Sequence, residues 1–456
     1  MKNLTAGPIP RHLMTMALPI AFGMLLQTLY FIVDLYFVAR LGDAAIAGVS
    51  AAGNVMFFVF ALTQTLGVGT VALISHAVGR QDRADANYVF NQSVAMSALL
   101  AALTLAGGYG LGGAYMRMLA ADAATVTAGV TYLFWFLPGL ALQFALVVMG
   151  SALRGTGIVR PTMLVQVVTV LLNTALAPVL IAGWGTGHPL GVAGAALAST
   201  LSITAAVAML SVYFLLMEKY VAFDLTQWRP HWQTWRRMLN IGVPVGGEFG
   251  LIAVYTALIY WIIREFGAAA QAGFGIGSRI NQAIFLPAMA IAFAAAPIAG
   301  QNFGARQPAR VRETFRVTGL VSCTLMAALT LLCQWQAPGL VRFFTHDPEV
   351  IRRGGEFLQI ASWNFVAMGL VFTCSSMFQA LGHTWPALLS TVSRLLLFAF
   401  PAMWLARRPG FQLFHVWYLS VATGAVQALI SLLLLRWQLR ERLGSMSAPV
   451  ETVATP

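Results

Sequence analysis

Charge is what this sequence most lacks. Only 9% of its 456 residues are Asp, Glu, Lys or Arg, against about 25% in soluble domains, while 59% are hydrophobic. So little charge cannot cover the surface of a water-soluble protein of this size, which leaves lipid as the solvent. In lipid every backbone N–H and C=O must be satisfied inside a helix or a closed barrel. The apolar/polar alternation of barrel strands is also missing. The apolar runs are long and continuous, so an all-α membrane protein is expected.

Cysteine is scarce too. Cys323, Cys333 and Cys374 fall in apolar segments, at spacings that fit neither a zinc site nor a disulfide framework, and read as small core residues. No strand leads into a Gly-Lys-Ser/Thr phosphate loop, and no haem motif or catalytic triad is visible. An enzyme, a metal and a cofactor are therefore not expected. The net charge of +12 does not imply nucleic acid, because the basic residues sit in short loops between apolar spans. No cleavable leader is evident either: the first apolar run, from Leu13, is too long and lacks a cleavage site.

What is present is a series of apolar runs, each near the roughly 20 residues a span requires. Twelve are expected, at about 13–38, 50–76, 90–112, 124–149, 160–183, 190–217, 238–263, 270–299, 317–339, 355–379, 385–405 and 412–435. With the N-terminus inside, loop Lys and Arg favour the cytoplasmic side by roughly two to one, and an even number of spans puts both termini there. Residues 218–237, with Trp228, Pro230, Trp232, Trp235, Arg236 and Arg237, read as a linker lying in the membrane interface. The small, polar tail 443–456 reads as disordered.

The linker divides a repeat. A shift of 225 residues takes Pro19 onto Pro244, Gly42 onto Gly267, Ala47-Gly48 onto Ala272-Gly273, Gly79 onto Gly304, Ala84 onto Ala309, Gly157 onto Gly382 and Pro161 onto Pro386. The expected lobes are 1–217 and 238–442, each with six spans and hence the same orientation. Parallel repeats of this kind are a transporter architecture with a substrate site where the repeats meet.

Ionisable residues inside spans are costly, about 3 kcal/mol each on insertion scales, and are functional candidates by default. Asp34, Glu248, Arg279 and Arg394 are the ones here. Gln27, Tyr30 and Asp34, at i, i+3 and i+7, share a helix face, and burial would raise the Asp34 pKa toward neutrality. Thr162, Gln166 and Asn173 form a second polar stripe, with Asn173 able to place a neutral oxygen beside Asp34 or to make a helix–helix hydrogen bond. Ser199 and Thr200 follow the small residues Gly194-Ala195-Ala196, where close packing is the plainer role. Glu248 would snorkel, couple ions or pair with a base. Arg279 and Arg394 are candidate partners for it or for a substrate anion. Pro19 and Pro244 mark kinks inside their spans.

These segments carry a resemblance. Ala17-Leu18-Pro19-Ile20, Val33-Asp34 running into Leu41-Gly42 and Ile46-Ala47-Gly48, Ile241-Gly242-Val243-Pro244, Phe266-Gly267 and Gly300-Gln301-Asn302-Phe303-Gly304-Ala305 resemble the multidrug and toxic compound extrusion (MATE) family over about 10–440. The resemblance implies a V-shaped, two-lobed antiporter of a plasma membrane, in bacteria the inner one, acting as a monomer. It would export small organic, often cationic compounds against protons or sodium ions. Asp34 matches the family's first-helix coupling aspartate, Asn173 its fifth-helix asparagine, Ser199 a sixth-helix hydroxyl and Arg394 a frequent arginine. A second aspartate, common four residues after that asparagine, is here Ala177, and the tenth-helix aspartate of one subgroup is absent. The proton is therefore the favoured ion. A lipid-linked oligosaccharide flippase of the same superfamily and a channel are the competing readings; few intramembrane bases argue against the first, and dependence of flux on a proton gradient would exclude the second.

Overall fold

The computed structural model describes residues 2–119, 122–185, 187–444 and 446, without the side chains of Phe31, Asp34 and Leu35. No strand occurs among the described residues. The helices are α1 (Ile9–Ala39), α2 (Asp43–Gly79), α3 (Arg83–Leu119), α4 (Ala123–Gly155), α5 (Arg160–Ala182), α6 (Val192–Leu216), α7 (Trp232–Ile263), α8 (Ala268–Gly304), α9 (Pro308–Arg342), α10 (Pro348–Ser362), α11 (Phe365–Ala380), α12 (Trp385–Leu405) and α13 (Leu413–Gly444). Eleven described helices are long and apolar enough to cross a membrane, and the bent pair α10–α11 makes twelve spans.

Most helices outrun their apolar windows, because their polar end turns still close their own backbone hydrogen bonds. Two boundaries move with consequences. α7 begins at Trp232, so Trp232, Trp235, Arg236 and Arg237 are helical rather than linker. α13 runs to Gly444, and Leu443, expected in the tail, is fully buried beside Ala380 and Leu381; residues 445 and 447–456 lie outside the described residues.

The span expected near 355–379 is broken, with α10 and α11 meeting at 55°. No proline or glycine marks the break at Trp363-Asn364. Its freed groups are satisfied from α9. Thr330 Oγ1 donates to Ser362 O (2.9 Å), and Gln334 Nε2 donates to Gln359 O (2.6 Å) and Ser362 Oγ (2.8 Å). Irregular backbone inside a membrane requires such partners.

The repeat is written into backbone conformation. Left-handed φ values recur at the 225-residue shift: Gly42 and Gly267 (101° and 86°), Gln81 and Arg306 (61° and 54°), Gly157 and Gly382 (81° and 70°). The turns close alike as well, Gln81 N donating to Val78 O at 3.0 Å and Arg306 N to Phe303 O at 3.1 Å. Glycine tolerates this region; glutamine and arginine enter it only where the turn demands it.

The chain forms two compact units, and their limits fall within α1 and α7. Unit 1 is Leu18–Gly246 with the residues before Leu4; unit 2 is Leu4–Ala17 and the chain from Gly247 on. Both limits lie within two or three residues of Pro19 and Pro244. Within unit 1 the first half of α7 lies directly on α2. A β-carbon on Gly242 would come 1.8 Å from Thr65 O, one on Gly246 2.1 Å from Thr65 Oγ1, and one on Gly69 2.6 Å from Met238 O. This is the small-xxx-small packing by which membrane helices approach closely.

Unit 1 also holds the linker. Asn91 and Gln92 of α3, both fully buried, clamp it. Asn91 Nδ2 donates to Ala222 O (2.9 Å), and its Oδ1 accepts from Asp224 N (2.8 Å) and Trp228 Nε1 (3.1 Å). Gln92 Nε2 reaches Gln227 O (2.6 Å) and Arg229 O (2.8 Å), and its Oε1 takes His231 N (3.0 Å). Within unit 2 a comparable strap is the N-terminal segment, where Leu4 N donates to Gln301 Oε1 (3.0 Å) and Arg310 donates to Asn302 Oδ1 and Gly7 O (both 2.9 Å). The core of unit 2 is built on Trp417, stacked on Phe274 and edge-on to Phe357.

Candidate functional site

In unit 1, α5 and α6 bring together two of the predicted residues. Asn173 is fully buried and Ser199 nearly so; Asn173 Nδ2 donates to Ser199 Oγ at 3.4 Å. The amide oxygen, Asn173 Oδ1, is buried with no hydrogen-bond partner among the described residues. An unsatisfied buried acceptor costs about 1–3 kcal/mol, so it is a feature to explain. One turn on lies Ala177, also fully buried, with no carboxylate to offer. Gln166 is half-buried on the same stripe, and Thr162 Oγ1 is a buried hydroxyl with no partner among the described residues. Thr200 has the packing role expected of its neighbourhood: it donates to Trp135 O at 2.7 Å, and a β-carbon on Gly139 would press on its hydroxyl at 2.9 Å.

On α1, Gln27 is exposed and Tyr30 half-buried. The backbone of Asp34 continues the helix, but its side chain lies outside the described residues, as does its relation to Asn173.

In unit 2, Glu248 stands one turn after Pro244. It is half-buried, and its Oε1 is buried without a partner among the described residues. A β-carbon on the preceding Gly247 would touch Leu388 at 3.3 Å, which sets α7 beside α12. Two turns further along that seam lies Arg394. Its guanidinium carbon sits 4.8 Å from the Tyr255 ring centroid, in cation–π range. Its amino groups donate to Met368 Sδ (3.3 Å), Gln427 Oε1 (3.3 Å) and Tyr255 Oη (3.5 Å), while Nε is buried without a partner among the described residues. Tyr255 Oη pairs with Ser420 Oγ at 2.7 Å, and Gln427 Nε2 donates to Thr391 Oγ1 at 3.3 Å. Every one of these groups is neutral. Among the described residues no ion pair joins Glu248, Arg279 or Arg394 to one another or to any other charge, and Arg279 is exposed on α8. A cation left uncompensated inside a span is costly.

Tyr255, Ser420 and Gln427 escaped the sequence reading. Each had a signal: Tyr255 is seven residues after Glu248, on the same helix face, and Ser420, Thr423, Gln427 and Ser431 form a polar stripe along an otherwise apolar α13. The three cysteines are free, with Cys333 and Cys374 buried and Cys323 half-buried.

Duplicated bundles of membrane-spanning helices, broken only by isolated polar groups in their interiors, define a polytopic membrane transporter rather than an enzyme. The MatE family model matches twice, over residues 19–179 and 244–405, each match beginning at a proline inside a helix. The chain belongs to this family, the multidrug and toxic compound extrusion transporters. Similar proteins include the probable multidrug resistance protein YpnP of Bacillus subtilis, 26% identical over 91% of this chain and 90% of its own. A FAD transporter of Shewanella oneidensis is 24% identical over 88% of both chains. The multidrug export protein MepA of Staphylococcus aureus is 24% identical over 83% of both. Among solved structures, a MATE protein in a bent conformation shares the fold with a TM-score of 0.91 at 23% identity, over 98% of each chain. A MOP superfamily transporter from Pyrococcus furiosus does so at 0.88 and 24% identity, over 96% of this chain and 98% of that one.

Proposed function

We propose that the chain is a secondary antiporter, working as a monomer, that exports small organic drugs or metabolites in exchange for protons, with sodium the alternative ion. The observation that carries the choice of ion is the surroundings of Asn173. Its oxygen is a buried acceptor with no partner among the described residues, and the side chain of the nearby Ala177 offers no second carboxylate. A sodium ion needs a cage of several oxygens, and a second carboxylate to offset its dehydration. A proton needs one carboxylate with a raised pKa and an acceptor for the neutral acid. In this reading Asp34, on the α1 face it shares with Gln27 and Tyr30, takes up the proton, and its protonated form donates to Asn173 Oδ1.

Glu248 is the corresponding candidate in unit 2. Arg394 and Arg279 serve as its partners in another state of the cycle, or meet a substrate anion. Pro19 and Pro244 act as hinges, a reading supported by the limits of the two compact units falling beside them. The names of the relatives, multidrug export protein and FAD transporter, support a small-molecule substrate. The loop charges support cytoplasmic termini; cysteines introduced in the turns at 80–86 and 306–312 would then both be labelled from the cytoplasm, and labelling from opposite sides would overturn the arrangement. The direct test of the mechanism is Asp34→Asn, which should abolish dye efflux while insertion and folding stay normal. Undiminished efflux by well-expressed Asp34→Asn protein would remove Asp34 from the coupling role.

A further inference from the structure

Arg394 lies near the middle of α12, where a bare cation is most costly. Its counter-charge is missing from the described residues of unit 2. Glu248 is held away from it. The neighbouring Gly247 sits over Leu388, six residues before Arg394 on α12, a rise of about 9 Å along a helix. The other carboxylates of unit 2 stand in turns, near helix ends or in α10, where Arg352 already engages Glu349 and Glu356 at 2.6 and 2.7 Å.

The neutral contacts leave the guanidinium underused. It carries five N–H groups. Nη1 and Nη2 make three contacts, at 3.3, 3.3 and 3.5 Å, one of them to a thioether; a charge-assisted bond would be near 2.8 Å. The hydroxyls of Tyr255 and Ser420 hold two protons between them, and their mutual bond at 2.7 Å uses only one. Arg394, Tyr255, Met368 and Ser420 are all part-exposed, whereas Gln427 is buried. The donors are therefore reachable, and no resident carboxylate cancels them.

The lining also discriminates among anions. The Tyr255 ring lies under the guanidinium and against Phe398, with 4.8 Å between ring centroids. The Met368 thioether closes the other side of Nη1. A hydrated inorganic ion gains nothing from a ring and a thioether, whereas an aromatic carboxylate gains from both.

We propose that Arg394 anchors the carboxylate of an apolar organic substrate, Nη1 and Nη2 forking its two oxygens, the Tyr255–Ser420 pair supplying one more donor, and the substrate's apolar part lying on Tyr255 and Met368. This rests on the reading of the chain as an exporter of small organic compounds and names a class of them, aromatic monocarboxylates and zwitterions that contain one. A mid-span position suits such a role, because transporters bind substrate near the bilayer midplane.

The test is fluorescence anisotropy of the full chain in nanodiscs, with empty nanodiscs subtracted, using rhodamine B, whose carboxylate is free, and its methyl ester. The wild type should bind the acid more tightly than the ester. Arg394→Gln should weaken binding of the acid roughly tenfold, about 1.4 kcal/mol, the lower end for a hydrogen bond to a charged group, and so erase the preference. Arg394→Lys should keep a reduced preference, having the charge without the fork. Ser420→Asp leaves Arg394 in place and gives it a resident carboxylate; it should erase the preference with no fall in thermal midpoint. Benzoate should displace the acid, and benzamide and chloride at the same concentration should not. Binding needs no ion gradient, so failure here would leave the coupling role of Asp34 untouched, and failure there would leave this site. Equal binding of acid and ester by the wild type, a preference that survives Arg394→Gln or Ser420→Asp, or displacement by benzamide or chloride as readily as by benzoate would each overturn the proposal.

Discussion

Gly242 and Gly250 lie on one helix and offer the same chemical change with opposite expected outcomes. A methyl group on Gly242 would fall 1.8 Å from Thr65 O, where ordinary contact begins near 3.4 Å. Gly242→Ala must therefore move α7 from α2 by about 1.6 Å (3.4 − 1.8) or strain the backbone of one of them. Overpacking of this kind costs about 1–3 kcal/mol. Separation also forfeits the close Cα–H···O contacts that glycine seams allow, at about 0.5–1 kcal/mol each. A loss of roughly 2–4 kcal/mol is a large share of the 5–15 kcal/mol that holds a typical protein folded. Gly250→Ala meets nothing within 4 Å, and alanine is the better helix former by about 0.5–1 kcal/mol. Thermal unfolding midpoints in detergent, read by fluorescence-detected size exclusion, should fall clearly for Gly242→Ala and hold or rise for Gly250→Ala. Equal midpoints, or the reverse order, would refute the seam between α2 and the first half of α7, and with it the assignment of that half-helix to unit 1.

Three other perturbations test the remaining polar features. Arg394→Gln should fold within about 1 kcal/mol of the wild type, because removing an uncompensated buried charge relieves desolvation, yet transport should drop at least tenfold; loss of folding would make Arg394 structural. Asn91→Ala leaves Ala222 O, Asp224 N and Trp228 Nε1 without their partner, at about 1–3 kcal/mol for each group that stays buried, so limited proteolysis should cut within 219–231 faster, and unchanged cleavage would mean that the clamp does not hold the linker. The Thr226 side-chain hydroxyl, with its backbone N–H and Gln227 assisting, holds the Asp224 carboxyl below its ordinary value of 3.8. A depressed folded-state pKa stabilises the turn above the unfolded value and loses that stabilisation as pH falls through the folded value; protection factors for hydrogen exchange of 222–231, taken relative to the intrinsic rate at each pH, should therefore be flat from pH 8 to 5 and fall only below about 4, whereas a step near pH 6 would point to another group.

Much of this architecture was legible because lipid leaves few options. Long apolar runs marked the spans, and Gly42, Gly157, Gly267 and Gly382 marked the repeat because the turns need left-handed backbone. Gln81 and Arg306 show the limit: they adopt the same conformation, but their residue types do not announce it. The break at Trp363-Asn364 was invisible because it is sustained by Thr330 and Gln334 on another helix, and no local signal encodes a partner some 30 residues away. The units' limits inside α1 and α7 were hidden for the same reason, since only packing decides which bundle half a helix joins. Of the site, Asn173 could be named from its stripe and Ser199 from the family resemblance. The neutral cage of Arg394 could not, because it draws on four helices that meet only in the fold.

Transport in proteoliposomes with imposed gradients tests the central claim most directly. An inward proton gradient without sodium should drive substrate out through the wild-type chain and fail to do so through Asp34→Asn. If only an inward sodium gradient drives efflux, or if Asp34→Asn transports as well as the wild type, proton coupling through Asp34 is wrong.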